Sequence, residues 1–155
     1  YLEVKVYMAA TGLKRDQVKS ITEARFSIPF LVGMIIEKGS LTKRDWNEEV
    51  IENPKIRKLA SLVEVVEDAD LTKRFPDIRS AKITAKLKDG RVIKHKSDSP
   101  FGMPENPVQW SDIVEKFHAC TDKVLSDKSR NTVLEMVQNL EQVSSMEQVF
   151  QAFKQ

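Results

Sequence analysis

Apolar and polar residues alternate over the first eight positions of the chain. The apolar positions of this segment are Leu2, Val4, Val6 and Met8. This alternation predicts a half-buried β-strand. Positions 28–36, by contrast, are almost all apolar. A helix over those positions has no polar face to expose to solvent, so it should lie at the centre of the domain.

Start and stop signals surround this apolar segment. Ser27 can cap a helix by accepting a hydrogen bond from an unpaired amide of the first turn, and Pro29 falls where a missing amide proton does no harm. Gly39 offers the left-handed conformation that closes many helices. We therefore expect a buried helix over residues 28–38.

Two further segments predict β-structure. Residues 62–67 are a compact run of β-favouring residues, which indicates a central strand. Residues 82–88 alternate between polar and apolar positions and lead into Asp89-Gly90, a dipeptide preferred in two-residue hairpin turns. We therefore expect a hairpin after the central strand.

A two-residue turn fixes the register of this hairpin. It pairs Leu87 with Val92 and sets Ala85 opposite Lys94. Lys94 and Lys96 then share a face with Ala85. Charges at these positions predict that the return strand lies at the edge of the sheet.

The last third of the chain predicts a loop and three amphipathic helices. Residues 99–107 are dense in proline and glycine, and the packing of Phe101, Met103 and the prolines is expected to order them. Ser111 and Asp112 then cap the first helix. The apolar stripes of the three helices, each of which needs a partner surface, are Ile113, Phe117, Cys120 and Val124; Val133, Met136, Val137, Leu140 and Val143; and Met146, Val149, Phe150 and Phe153.

The order of the predicted elements defines the fold class. A strand, helices, three strands and more helices indicate an α+β fold rather than alternating units with a parallel sheet. We expect a small, mostly antiparallel sheet with a buried helix packed on it, followed by C-terminal amphipathic helices.

Composition narrows the possible partners. The 155 residues include 25 Lys and Arg against 23 Asp and Glu, for a formal charge of +2. This balance is too even to favour nucleic acid, and the lysines of the hairpin are expected to form a solvated face. No apolar run reaches the length of a membrane span, so no membrane partner is expected. The single cysteine cannot form an internal disulfide and favours a reducing compartment.

Few residues offer catalytic or metal chemistry. His95, His118 and Cys120 lack further ligands at metal-binding spacing, so no metal site is expected. Two places remain. One is the charged entry to the buried helix, Glu23 to Ser27, where an anion could be held, although local evidence favours a core helix with a capping serine and a surface ion pair. The other is the restricted loop from Gly102 to Pro107, which could also be a rigid turn.

The segment Glu23–Phe30, with the sequence EARFSIPF, resembles the signature of the 2-methylcitrate dehydratase (MmgE/PrpD) family. That family also includes cis-aconitate decarboxylase and iminodisuccinate epimerase. Further segments resemble landmarks of the family in the right order, over essentially the whole chain. They are Val63-Glu64-Val65, Lys88-Asp89-Gly90-Arg91, Gly102-Met103-Pro104-Glu105-Asn106-Pro107, Glu115-Lys116-Phe117 and Asn139-Leu140-Glu141.

The resemblance implies a domain organisation and a chemistry. Residues 1–108 would form an α+β lid domain, and residues 109–155 would be C-terminal helices that pack on an N-terminal helical domain missing from this sequence. Family members carry out cofactor-free dehydration, decarboxylation or epimerisation of di- and tricarboxylates. Their acid and base groups come mostly from that helical domain, so no catalytic residue is expected in this chain, which alone should be inert. A cytoplasmic homodimer is the implied state.

The resemblance also implies candidate substrate-binding residues. These are Arg25, Ser27 and Phe30 in the signature, with Gly102 and Asn106 in the loop. Many members of the family have tyrosine where this chain has Phe30. Arg25 could hold a substrate carboxylate with two parallel hydrogen bonds, or it could form a structural ion pair with Glu23. Two other functions stay open: a stand-alone α+β binding module without catalysis, and a regulatory nucleic-acid binder that uses the lysine hairpin.

Overall fold

The computed structural model describes residues 1–15 and 17–154. The chain divides into two compact units, Tyr1–Pro107 and Val108–Gln155. None of the helices in the described residues combines the length and the apolar composition that a membrane span requires.

The first unit combines a four-stranded sheet with short helices, which confirms the α+β prediction. Its strands are β1 (Leu2–Val6), β2 (Val63–Glu67), β3 (Ala81–Lys86) and β4 (Val92–Ser97). Its helices are α1 (Met8–Thr11), α2 (Ile21–Arg25), α3 (Ile28–Lys38), α4 (Glu48–Glu52), α5 (Pro54–Ala60) and α6 (Ala69–Arg74), with a 3-10 turn at Lys43–Asp45.

The strand order is β2-β1-β3-β4. β2 runs parallel to β1, whereas β3 pairs antiparallel with both β1 and β4. The mostly antiparallel sheet is therefore confirmed, but the prediction that residues 62–67 form a central strand is wrong. Val63 and Val65 are buried while Glu64 is exposed between them, so β2 needs cover on one face only and can occupy an edge.

The predicted register of the β3–β4 hairpin is wrong by one residue. Ala85 lies opposite Ile93. Leu87 N–H donates to Arg91 O at 2.9 Å, and Gly90 N–H donates to Leu87 O at 3.2 Å. Gly90 adopts a positive φ of 86°, so the connection has three residues and ends in a left-handed glycine rather than being a two-residue turn.

The shift of one residue exchanges the two faces of β4. Lys94 lies opposite Thr84, and Lys96 lies opposite Lys82. Neither lysine shares a face with Ala85, contrary to the prediction. The edge position of β4 is confirmed, because β3 is its only neighbour among the described strands.

Helix α3 begins and ends where its sequence predicts. Ser27 caps it by accepting a hydrogen bond from Phe30 N–H at 3.3 Å. Gly39 closes it with a φ of 81°, and its N–H donates to Ile35 O at 2.8 Å. The helix packs on both sides. Ile28 and Val32 contact the buried residues of the sheet, and Phe30 and Met34 join the core formed with α4 and α5.

The prediction that α3 has no solvent-exposed face is wrong for its last turn. Ile35 and Ile36 are 47% and 50% exposed. Helix α5 does reach this turn, because Lys55 Nζ lies 3.3 Å from the Glu37 carboxylate. Met34 is completely buried on the covered side of α3, so the exposure of Ile35 and Ile36 belongs to the side that no described helix covers.

The 3-10 turn after α3 depends on one carboxylate. Asp45 accepts hydrogen bonds from the Thr42 N–H at 2.7 Å, the Thr42 hydroxyl at 2.8 Å and Lys38 Nζ at 3.0 Å. The Thr42 N–H contributes most to lowering the pKa of Asp45 to about 2. A lowered pKa stabilises the folded state above the ordinary carboxyl pKa of about 4, and this stabilisation is lost as the pH falls toward 2.

We expect Asp45→Asn to lower the free energy of unfolding by about 1 kcal/mol at pH 7. Asparagine lacks the negative charge that strengthens the hydrogen bonds from Thr42 and Lys38. The difference from the native chain should shrink between pH 4 and pH 2, where Asp45 itself takes up a proton. Urea unfolding at several pH values measures both. Asp70→Asn, at a carboxylate that is 82% exposed, is the control. A difference that stays constant with pH contradicts the assignment.

The second unit contains α7 (Trp110–Thr121), α8 (Asp127–Gln138), a 3-10 turn at Leu140–Gln142 and α9 (Met146–Ala152). Its buried apolar residues are Leu125, Val133, Val149 and Ala152.

The N-cap of α7 is Gln109 and not Ser111. Asp112 completes the cap, because Gln109 N–H donates to its carboxylate at 2.7 Å. Val124 lies beyond α7 and is exposed. Other residues of the predicted stripes also stay exposed, among them Ile113, Val137, Leu140, Met146 and Phe150.

Candidate functional site

The signature segment lies at the junction of α2 and α3. Glu23 and Arg25 belong to α2, but they do not pair with each other in the described residues. The Glu23 carboxylate accepts a hydrogen bond from Lys19 N–H at 2.7 Å. The Arg25 guanidinium lies 5.0 Å from the ring centroid of Trp46, a cation–π contact. An ion pair between Glu23 and Arg25 does not fit these contacts.

Ser27 is fully buried between α3 and the segment that precedes α2. Its hydroxyl accepts the Phe30 N–H and donates to Arg15 O at 2.9 Å. Ile28 N–H donates to Leu13 O at 3.0 Å, and Leu31 N–H donates to Ser27 O at 2.9 Å. The chain's own acceptors therefore satisfy the first amides of α3, which does not fit an anion held by these amides.

We expect Ser27→Ala to lower the free energy of unfolding by about 2 kcal/mol. The change removes a helix cap and leaves the buried Phe30 N–H and Arg15 carbonyl without their partner. Ser20→Ala is the matched control, because Ser20 caps α2 through Glu23 N–H at an exposed position and should cost about 1 kcal/mol or less. Equal losses in urea unfolding of the two variants would contradict the structural role of Ser27.

Phe30 is almost completely buried, and it contributes to a small pocket as well as to the core. The pocket has a volume of about 120 Å³ and lies beside the first turn of α3. Val18 and Val63 also line it, together with two basic residues, Arg15 and Arg57. The sequence does not point to either arginine, because only the tertiary fold brings the segment before α2 next to the end of α5.

The other candidates, Gly102 and Asn106, close a compact loop. Gly102 N–H donates to Asn106 O at 2.8 Å, Asn106 N–H donates to Met103 O at 2.9 Å, and the Asn106 side chain donates to Ser99 O at 3.2 Å. Gly102 adopts a φ of 96°, which favours glycine. Phe101 is 67% exposed, so the prediction that its packing orders this loop is wrong, and these hydrogen bonds hold the loop instead.

A charged cluster anchors the strand end from which this loop starts. Asp98 accepts hydrogen bonds from Lys96 Nζ at 2.8 Å and from the buried Ser80 hydroxyl at 2.6 Å, and it pairs with Arg74 at 3.0 Å. Lys96 contributes most to holding the pKa of Asp98 well below its usual range. Asp98 and Met103 line a second pocket of about 280 Å³.

The two candidate sets stay separate in the structure. Ser27 contacts Phe30, and Gly102 contacts Asn106. None of the hydrogen bonds among the described residues joins the signature to the loop, and the pocket beside Phe30 shares no lining residue with the pocket beside Met103.

The residues with the most reactive side chains are also scattered. His95 lies on the exposed edge strand, whereas His118 lies on α7 with its ring centroid 6.2 Å from that of Phe117. Cys120 is a free, partly buried thiol. Within residues 1–15 and 17–154, no group of three or more His, Cys, Asp and Glu side chains is placed to hold a metal ion.

The sequence of the chain matches a family model described as the MmgE/PrpD C-terminal domain over residues 2–142. The chain belongs to the MmgE/PrpD family. This confirms the resemblance drawn from the signature and the later motifs. Within an MmgE/PrpD C-terminal domain, the signature builds the α2–α3 junction described above.

Two curated relatives carry the name cis-aconitate decarboxylase. The Homo sapiens protein is 32% identical over 119 residues, and the Mus musculus protein is 27% identical over 119 residues. Each match covers 77% of this chain and 24% of the relative. The chain therefore spans about a quarter of the length of these relatives.

Proposed function

We propose that this chain is the C-terminal domain of a cofactor-free lyase or isomerase that acts on a small di- or tricarboxylate. The match of residues 2–142 to the MmgE/PrpD C-terminal domain carries this proposal. Both relatives are named for a reaction of cis-aconitate, which is a tricarboxylate. The reaction is a dehydration, a decarboxylation or an epimerisation.

In this proposal the chain alone is catalytically inert. Residues 1–108 act as a lid, which closes the site and excludes water, and an N-terminal helical domain of the same protein supplies the acid and base groups. Residues 109–155 pack on that domain, which would cover apolar side chains such as Phe150, now 60% exposed. The whole protein is proposed to be a cytoplasmic homodimer.

The proposed substrate contacts are Arg25 and Phe30, with Gly102 and Asn106 from the loop; the buried Ser27 hydroxyl holds the junction that carries the first two. Stacking on Trp46 uses the flat face of the Arg25 guanidinium. Its N–H edges are then free to face a carboxylate, the geometry of a bidentate pair. Phe30 has no hydroxyl to offer, so its contribution is an apolar wall.

The test is an assay of the full-length protein encoded by the gene, with cis-aconitate, 2-methylcitrate and iminodisuccinate as substrates. We expect turnover of one of them by the full-length protein and none by residues 1–155 alone. Turnover by the isolated chain contradicts the proposal that the chain is inert. Absence of turnover with every di- and tricarboxylate tried contradicts the proposed reaction class and favours a binding module.

We expect Arg25→Gln in the full-length protein to lower kcat/KM at least about 10-fold, mainly through KM, because a charge-assisted hydrogen bond to the substrate is lost. Steady-state kinetics measure this change. Arg91→Gln is the control, since Arg91 lies on the hairpin and pairs with Asp89 at 2.7 Å. Equal kinetics for both variants would contradict a substrate contact by Arg25.

A further inference from the structure

The pocket beside Phe30 is lined by both charged and apolar residues. Phe30, Val18 and Val63 form apolar parts of the lining. Arg15 and Arg57 line it as well, and no acidic residue is found among the described residues of its wall. A volume of about 120 Å³ is well above what a single water molecule needs, so the pocket has room for a group of a few heavy atoms.

Backbone carbonyls hold the Arg57 guanidinium in place. Its Nε donates to Ile51 O at 2.8 Å, and its Nη2 reaches Val18 O at 3.5 Å. Carbonyl oxygens orient the guanidinium without cancelling its charge, because they are neutral. Arg57 is therefore fixed next to Val18 in the pocket lining before any ligand arrives.

Among residues 1–15 and 17–154, Glu52 is the carboxylate that pairs with Arg57. Glu52 Oε1 accepts a hydrogen bond from Arg57 Nη2 at 2.9 Å, but the Glu52 side chain is 78% exposed. Exposed ion pairs of this kind contribute little to stability. An incoming anion can therefore replace Glu52 at low cost.

The second arginine is placed by the signature itself. The Ser27 hydroxyl donates to Arg15 O at 2.9 Å, so the capping serine that starts α3 also fixes the backbone of Arg15 beside the pocket. The same segment supplies Val18, whose carbonyl accepts from Arg57. One short segment thus brings a second positive charge to the pocket and helps to orient the first.

We propose that this pocket binds a small oxyanion, a carboxylate or a phosphate group, through the Arg57 guanidinium with Arg15 as a second positive charge. Because Nε donates to Ile51 O, the parallel N–H groups that would match either anion are those of Nη1 and of Nη2 once Glu52 has been displaced. The proposal goes beyond the proposed function, because the pocket lies within the first unit and needs no other domain. Of the proposed substrate contacts, Phe30 lines this pocket and Arg25 does not.

The test is an NMR titration of the full 155-residue chain with acetate, citrate and inorganic phosphate, each at constant ionic strength. We expect saturable shifts of the Arg57 Nε–Hε signal and of the amides of Val18, Ser61 and Val63. Saturation by acetate or citrate identifies a carboxylate ligand, and saturation by phosphate alone identifies a phosphate ligand. Shifts that do not saturate, or that spread over the surface lysines, overturn the proposal.

Variants assign the binding to the two arginines. We expect Arg57→Gln to weaken the apparent affinity at least about 10-fold and Arg15→Gln about 3-fold. Arg15→Gln leaves the hydrogen bonds of Arg57 intact, so it keeps the test valid if Arg57→Gln unfolds the chain. Arg91→Gln on the hairpin should bind like the native chain. Unchanged affinity in Arg15→Gln, or an equal loss in Arg91→Gln, overturns the proposal. These outcomes are independent of the turnover assay, which can fail while this pocket still binds.

Discussion

Replacing Gly33 with alanine is expected to lower the free energy of unfolding by about 2 kcal/mol, although alanine is the better helix former by about 1 kcal/mol. A Cβ atom at Gly33 would lie 2.8 Å from Ile56 O and 3.1 Å from Ala60 N. Both obstacles are backbone atoms of α5, so no side-chain rotation can relieve the overlap. Helices α3 and α5 must separate, and the core between them loosens. Urea unfolding of the two proteins measures the loss.

Gly12 provides the matched control for this substitution. It has an ordinary helical φ of −62°, and the nearest atom to an added Cβ is Ala9 O at 3.9 Å. Gly12→Ala should therefore leave stability unchanged or raise it slightly, because alanine restricts the unfolded chain. If Gly33→Ala were as stable as Gly12→Ala, the close crossing of α3 and α5 would be contradicted.

Local signals predicted the local parts of this fold. The limits of α3 follow from Ser27 and Gly39 because a cap and a left-handed glycine act within one helical turn. The strand character of residues 2–6 and the edge position of β4 were equally accessible, since alternation and charge are visible in a few residues. Each of these features depends on neighbours in the sequence.

Errors arose where distant residues decide the outcome. The register of the hairpin depends on whether its connection has two or three residues, and Asp89-Gly90 fits both. A change of one residue moved Lys94 to the other face. The edge position of β2 depends on strand pairing with β1, which lies about 60 residues away in sequence. No window of a few residues contains that information.

In the candidate site, too, the features set by neighbouring residues are predictable from the sequence and those set by distant residues are not. The signature was visible as a sequence motif, but the partner of Arg25 was not, because Trp46 belongs to a later turn that folds back on α2. Arg57 lies in none of the sequence motifs, so the sequence does not indicate it as a site residue. Its position beside the pocket depends on the carbonyls of Ile51 and Val18. A motif therefore located the junction, whereas the tertiary structure was needed to show which charges surround it.

Ile56 is the side chain whose loss should affect stability most. It is completely buried and belongs to the core that includes Phe30 and Met34. The Asn53 side chain caps α5 by accepting the Ile56 N–H at 3.2 Å, which fixes this residue at the start of α5. A cavity left here cannot be closed by moving the helices together, because Gly33 already brings α3 to the closest approach that the backbone of α5 allows.

We therefore expect Ile56→Ala to lower the free energy of unfolding by about 4 kcal/mol, in the upper part of the range for buried isoleucines, since the cost increases with the volume that stays empty. Ile36→Ala is the matched control, because Ile36 is half exposed on the last turn of α3 and its truncation should cost less than about 1 kcal/mol. Urea unfolding of both variants gives the two values. A loss of about 1 kcal/mol or less for Ile56→Ala would mean that the core between α3 and α5 can collapse around the cavity, which the close contact at Gly33 excludes.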